Sequence, residues 1–285
     1  MGIVAGDETR VNTFTAGAQV VPEIAALEGG GWVVTWFSFG QDGFQGGIYQ
    51  QRYDGAGAPV GGETQVNTYV AGSQTLAQVT AIEGGGWVVA WESDGQDGDR
   101  LGVYQQAYDA NGAEFGEETR VNTHTTHDQD SIRIDALEGG GWVVTWNSYG
   151  QDGDNEGIYQ QAYNVDGSAL GVETQVNTYT TDAQFDQQLT ALAGGGWVVT
   201  WTSTGQDGSS WGVYQQAYNA DGTPLGVETR VNTHTASDQG QPRLAALEDG
   251  GWVAVWMSYS QDGSTGGIYQ QVFDAGGAPV GVETR

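Results

Sequence analysis

The sequence predicts an all-β chain folded as a five-bladed β-propeller, on three observations. One unit of 55 residues recurs five times without insertion or deletion, over 8–62, 63–117, 118–172, 173–227 and 228–282. Trp32, Trp87, Trp142, Trp197 and Trp252 stand at the same phase, each opening a version of Gly-Trp-Val-Val-Thr-Trp. No window keeps a 3.6-residue apolar period; short β-branched and aromatic runs alternate with glycine turns instead. Identical units that cannot bury a core alone stack on one another. Four short antiparallel strands per unit are what a propeller blade needs. A β-helix would use shorter coils, and a β-trefoil would repeat three times. No linker separates the copies, so residues 1–285 read as a single domain.

The first copy shows the elements in order. Glu8-Thr-Arg-Val-Asn-Thr13 is polar and β-prone, and loop residues follow to Gln19. Glu23–Leu27 is a short strand of small residues. Glu28-Gly-Gly-Gly31 is a hairpin turn, because glycine accepts the positive φ that such turns demand. Trp32-Val-Val-Thr-Trp36 is a strong strand signal. A glycine-containing loop spans Ser38–Gly47, Ile48–Tyr53 is the next strand, and Asp54–Gly61 is a turn region. Strands crowd near a propeller axis, and every copy has alanine at the position of Ala26, so the Glu23–Leu27 strand is expected innermost. The tryptophan strand comes second, the Tyr49 strand third, and the polar Glu-Thr-Arg/Gln-Val-Asn-Thr strand outermost. Side chains alternate along a strand, so Trp32, Val34 and Trp36 share one face, which should pack on the neighbouring blade. On these boundaries the last copy lacks its fourth strand. Glu8–Thr13 is expected to supply it and close the ring, so that removing residues 1–14 would open it.

Formal net charge is −28, from 36 acids against 8 arginines. Such a surface repels phosphate backbones and anionic lipid heads, which argues against nucleic acid and membrane partners. No cysteine is present, which excludes disulfides and thiolate metal sites. The apolar runs are far too short to insert in a membrane. Met1–Asp7 has neither a basic segment nor an apolar core, so no signal peptide is expected there. The final Glu283-Thr-Arg285 begins a sixth copy, which suggests a module cut from a longer secreted chain.

Polar residues identical in all copies gather in two loops that should emerge on one face, Asn12–Gln19 and Ser38–Gly46 and their counterparts. They are Asn12, Asn67, Asn122, Asn177 and Asn232; Gln19, Gln74, Gln129, Gln184 and Gln239; and Asp42, Asp97, Asp152, Asp207 and Asp262. One further column holds a flat ring in every copy: Phe14, Tyr69, His124, Tyr179 and His234. Flat rings stack on sugar C–H faces while amides and carboxylates bond hydroxyls, so this set is a candidate ligand site repeated around the ring. The opposing reading is structural: Asp-Gly forms turns, Asn, Gln and Ser staple loops, and the rings plug the blade edge. Trp211 is the tryptophan outside the repeated strand; it either marks a contact surface or folds onto its own blade. Calcium wants six to eight oxygens, and Asp97, Asp99, Asp152 and Asp154 are the candidates for a weak site. His124 and His127 lie two blades from His234, which argues against zinc. No pair of acids stands out in any one copy, so an enzyme is not expected.

The string Glu-Thr-Arg-Val-Asn-Thr, Ala-Leu-Glu-Gly-Gly-Gly-Trp-Val-Val-Thr-Trp, Ser-x-Gly-Gln-Asp-Gly and Gly-Ile-Tyr-Gln-Gln resembles repeats of large secreted bacterial RTX-type, haemolysin-type calcium-binding and adhesin-like proteins. The resemblance covers residues 8–282 and implies an extracellular or cell-surface setting that contains calcium. The nonapeptide calcium array of those proteins is missing here. In architecture the chain is similar to tachylectin-type lectins. The functional expectation is a monomeric, multivalent carbohydrate-binding module that meets glycans. The alternative is a structural or protein-contact module of an adhesin, calcium-stabilised and facing a cell-surface protein.

Overall fold

The computed structural model describes residues 8–285 and consists of five four-stranded antiparallel sheets with no helix. The signal-peptide reading of Met1–Asp7 lies outside the described residues. The first sheet is β1 (Gln19–Leu27), β2 (Gly31–Ser38), β3 (Gly47–Tyr53) and β4 (Pro59–Gln65), in that spatial order. The second is β5 (Gln74–Ala81), β6 (Trp87–Asp94), β7 (Leu101–Tyr108) and β8 (Glu114–Arg120). The third is β9 (Gln129–Ala136), β10 (Trp142–Tyr149), β11 (Glu156–Tyr163) and β12 (Ala169–Gln175). The fourth is β13 (Gln184–Ala191), β14 (Trp197–Thr204), β15 (Trp211–Tyr218) and β16 (Pro224–Arg230). The fifth is β17 (Gln239–Ala246), β18 (Trp252–Ser258), β19 (Gly267–Phe273) and β20 (Pro279–Thr284). This is the five-bladed architecture that the repeat predicts, with the tryptophan strand second and the tyrosine strand third.

The fourth strand corrects one expectation. It starts at the Pro59 position, about four residues earlier than the polar string suggested, and Val66–Thr68 leave the sheet. Val66 N–H then donates to Ile48 O at 2.8 Å, and Asn67 Oδ1 accepts from Ile48 N–H at 2.7 Å. The fifth blade is therefore completed by its own β20, and Glu8–Thr13 joins no sheet. Among the described residues, the N-terminal segment thus supplies no strand to the last blade.

Blades stack through their flat faces. Ala25, Val33 and Ile48 of the first blade pack on Trp87, Val89, Trp91, Tyr104 and Tyr108 of the second. Equivalent apolar clusters join the second to the third blade, the third to the fourth, and the fourth to the fifth. Trp87 stacks on Tyr108 at 5.2 Å, and its indole N–H donates to Gln50 Oε1 of the previous blade at 2.9 Å. Aromatic faces thus carry the burial, and the same indole-to-glutamine bond recurs at each of the four interfaces. Among the described residues no apolar cluster joins the fifth blade to the first.

One glycine column is fixed by space. An alanine Cβ at Gly102 would lie 2.7 Å from Asp97 Oδ2, in extended backbone where φ alone would allow it. Gly102→Ala is expected to destabilise the chain by about 1–3 kcal/mol, read by urea denaturation; an unchanged midpoint would mean that the Asp97 loop yields freely.

Candidate functional site at the axial end of the blades

The innermost strands carry a bulge at the same place in every blade. Val21, Leu76, Ser131, Asp186 and Gln241 have φ between 49° and 57°, in the left-handed region. A bulge turns a strand and re-aims its side chains. Here it lies where the strand leaves the loop face, so whatever residues the copies carry there are presented around the axis.

At this point the copies differ. Position 92 holds Glu92, where the other blades have Phe37, Asn147, Thr202 and Met257. Asp130 stands where the others have Val20, Thr75, Phe185 and Gly240. The next column inward is Glu23, Gln78, Arg133, Gln188 and Arg243. Glu92 is 1 % exposed, and one of its oxygens accepts the Ser131 N–H at 2.7 Å. Burial, then the Asp130 carboxylate, pushes its carboxyl up to about 8, so at neutral pH Glu92 holds a proton. Asp130 is raised by burial as well, and Glu156 by burial and then by Asp130. The Arg133 guanidinium is lowered by burial and by Arg243, against the opposing pull of Asp186, Glu23 and Glu92. Gln78 Nε2 donates to Glu23 Oε1 at 3.1 Å, and Gln187 Nε2 donates to Ser131 O. All five blades therefore contribute charged or amide groups here: an acid from the first, amides from the second and fourth, and arginines from the third and fifth. Neighbouring carboxyls that burial and mutual charge push upward are the kind of group from which acid–base sites are built.

The residues that the repeat singles out lie on the same face, further from the axis, and are largely engaged by the chain. Asn67 is buried; its Oδ1 accepts the Ile48 N–H, and its Nδ2 donates to Tyr69 O at 2.8 Å and to Gln74 Oε1 at 3.0 Å. Asn122, Asn177 and Asn232 repeat this with His124, Tyr179 and His234 carbonyls and with Gln129, Gln184 and Gln239. Asn12 bonds Phe14 O and Gln19 Oε1 in the same way. Gln74 Nε2 closes the loop on Ala71 O at 3.2 Å. Asp42, Asp97, Asp152, Asp207 and Asp262 each accept the N–H two residues on, which is turn chemistry. The rings of Phe14, Tyr69, His124, Tyr179 and His234 are half-buried and remain on the loop face. Trp211 folds down: it meets Phe185 of its own blade edge-on at 5.4 Å.

The calcium candidates are drawn onto backbone groups. Asp99 Oδ2 accepts His127 N–H and Asp154 Oδ2 accepts Asp182 N–H, both at 2.9 Å. Among the described residues no three His, Cys, Asp or Glu side chains gather as a metal site. The string Gly208-Ser-Ser210-Trp-Gly212 spells Gly-x-Ser-x-Gly, but it links two antiparallel strands rather than a strand and a helix, so it is no nucleophile elbow.

No protein-family model matches the sequence, and neither does any curated protein. Solved structures share the fold. A Dyadobacter fermentans protein of unknown function aligns with a TM-score of 0.55 at 9% identity, over 94% of this chain and 83% of that one. An α-L-arabinofuranosidase from Fusarium graminearum aligns with a TM-score of 0.55 at 10% identity, over 92% and 91%. The NanB sialidase of Streptococcus pneumoniae aligns with a TM-score of 0.55 at 7% identity, over 93% of this chain and 60% of that one. At such identities the likeness is one of fold. It still overturns the expectation that the chain is no enzyme, because carbohydrate-active enzymes are built on this architecture. The ground for that expectation also fails, since Glu92 and Asp130 single out one pair of neighbouring blades.

Proposed function

We propose that the chain is a carbohydrate-active propeller that cleaves a glycosidic bond at its axial end. The observation that carries this reading is Glu92: a carboxyl buried at 1 % exposure, pushed upward by that burial and by Asp130, near enough to Arg133 to act on its charge, at a position where no other copy has an acid. In this reading Glu92 passes its proton to the glycosidic oxygen as the C–O bond breaks. Asp130 or Glu156, as carboxylate, takes a proton from the water that adds to the sugar. Arg133 holds an acidic or hydroxyl group of the glycan. Incubation with a panel of neutral, uronate-bearing and sialylated polysaccharides should release reducing ends. Glu92→Gln should lower the rate by about 10²–10⁴-fold while the fold is retained. No release from any polysaccharide, or full activity in Glu92→Gln, would reject the proposal.

A second reading rests on the ring column. Five half-buried rings on the loop face suit weak, repeated sugar stacking, and several weak sites gain avidity on a glycan-coated surface. Calorimetry with glycans tests it, with Tyr179→Ala expected to weaken binding. The likeness to RTX-type and adhesin repeats favours an extracellular setting for either reading, with calcium as a stabilising ion. Calcium would then raise the melting temperature and a chelator lower it.

A further inference from the structure

The four blade interfaces are copies of one design, and the two outer faces of the array are its unmatched halves. In each interface an indole donates to a glutamine of the preceding blade at 2.9 Å: Trp87 to Gln50, Trp142 to Gln105, Trp197 to Gln160 and Trp252 to Gln215. In each, an asparagine oxygen accepts a third-strand N–H of the preceding blade at 2.7 Å. Four groups are left over among the described residues, the Ile268 N–H of the fifth blade being one of them. On the first blade the Trp32 indole and Asn12 Oδ1 have no such partner, and on the fifth blade Gln270 Oε1 has none. Burial tells the same story. The position of Ile268 is fully buried in the first four blades, at 0 % exposure, but Ile268 itself is 64 % exposed. Gln270 is exposed where its four counterparts are buried, and Trp32 is half-exposed where Trp87 and the other three are buried.

We infer that the seam between the fifth and first blades is a docking site for one further four-stranded unit of this same repeat. The chemistry of the occupant is set by the two faces. It must offer an indole donor and an asparagine oxygen to Gln270 and Ile268. On its other side it must offer a glutamine acceptor and a β-branched residue to Trp32 and Asn12. A flat sheet carrying the repeat meets both demands at once, through contacts that occur four times within the chain. A partner of different chemistry would leave a buried indole N–H or amide oxygen unpaired, which is costly.

The test is the full chain extended after Arg285 by an in-phase copy of its own residues 231–285, compared with the parent by amide hydrogen exchange. The expected result is exchange at least about tenfold slower in both β19 and β1–β2, the latter at the far end of the chain from the addition. A higher melting temperature should accompany it. Slowing confined to β19 would mean that the added unit only stacks on the last blade, and would overturn the inference. Concentration-dependent slowing in the parent, with the mass of a dimer, would also overturn it, since a second copy would then fill the seam. A second extension, by residues 176–230, guards against one added copy failing to fold. If neither extension protects β1–β2, the inference fails.

Discussion

Trp87→Ala is expected to cost about 3–5 kcal/mol, read as a loss in the urea or thermal unfolding free energy. The indole is 2 % exposed, stacked on Tyr108 and wedged against Val33 and Ile48 of the preceding blade. Removing it opens a cavity that rigid sheets on both sides cannot close. It also strands Gln50 Oε1 without its donor. The same change at Trp32 supplies the control. Trp32 keeps its stacking on Tyr53 at 5.3 Å, but it has no blade before it among the described residues. Trp32→Ala should therefore cost clearly less than Trp87→Ala. Equal losses would mean that the interface between blades adds nothing to what stacking within a blade supplies.

Glu92→Gln is expected to stabilise the fold in mildly alkaline solution while it removes activity. The carboxyl rises from an ordinary value of 4.5 to about 8 in the folded chain. Between those values the folded state binds the proton and the unfolded state does not. Stability from this group is therefore fully present below about pH 4.5, falls as pH rises to about 8, and is level above that. At about 1.4 kcal/mol per unit, the fall amounts to something on the order of 3–5 kcal/mol. Glutamine keeps the shape, has no proton to lose and removes the fall. Unfolding free energies of the two chains should coincide near pH 4.5 and diverge toward pH 8, with the variant higher. Parallel curves would mean that Glu92 is not held protonated. Stability gained where activity is lost is the pattern of a group kept in an unfavourable setting for its chemistry.

Much of the blade was legible in the sequence because strand chemistry is local. Trp87-Val-Val cannot be other than a buried strand, and Gly84 and Gly85 adopt φ of 89° and 85° in the turn before it. The end of the outermost strand is not legible in the sequence, because the string Glu63-Thr-Gln-Val-Asn-Thr68 is β-prone throughout. Only in three dimensions does the ladder end at Gln65, with the Ile48 N–H of β3 taken by the Asn67 side chain rather than by a backbone carbonyl. In the loops, identity among copies goes with shared bonding. Asn67, Gln74 and Asp97 recur because every loop needs the same staples. The signal for Glu92 and Asp130 was the reverse: a change of chemistry at a strand position where the other copies differ.

The sequence by itself determined the unit, the number of blades, the order of strands within them and the face through which they pack. Periodicity and alternation dictate those wherever the chain goes. Two things were decided only in three dimensions. Glu23, Arg133, Asp186 and Arg243 on innermost strands and Glu92 on a second strand are distant in sequence and come near one another because the blades are arranged about one axis. Among the described residues no apolar cluster joins the first and fifth blades, and whether the ends of a stacked array meet depends on the angle between its sheets. That angle follows from how the tryptophans of one blade seat against the valines of the one before, summed over four interfaces.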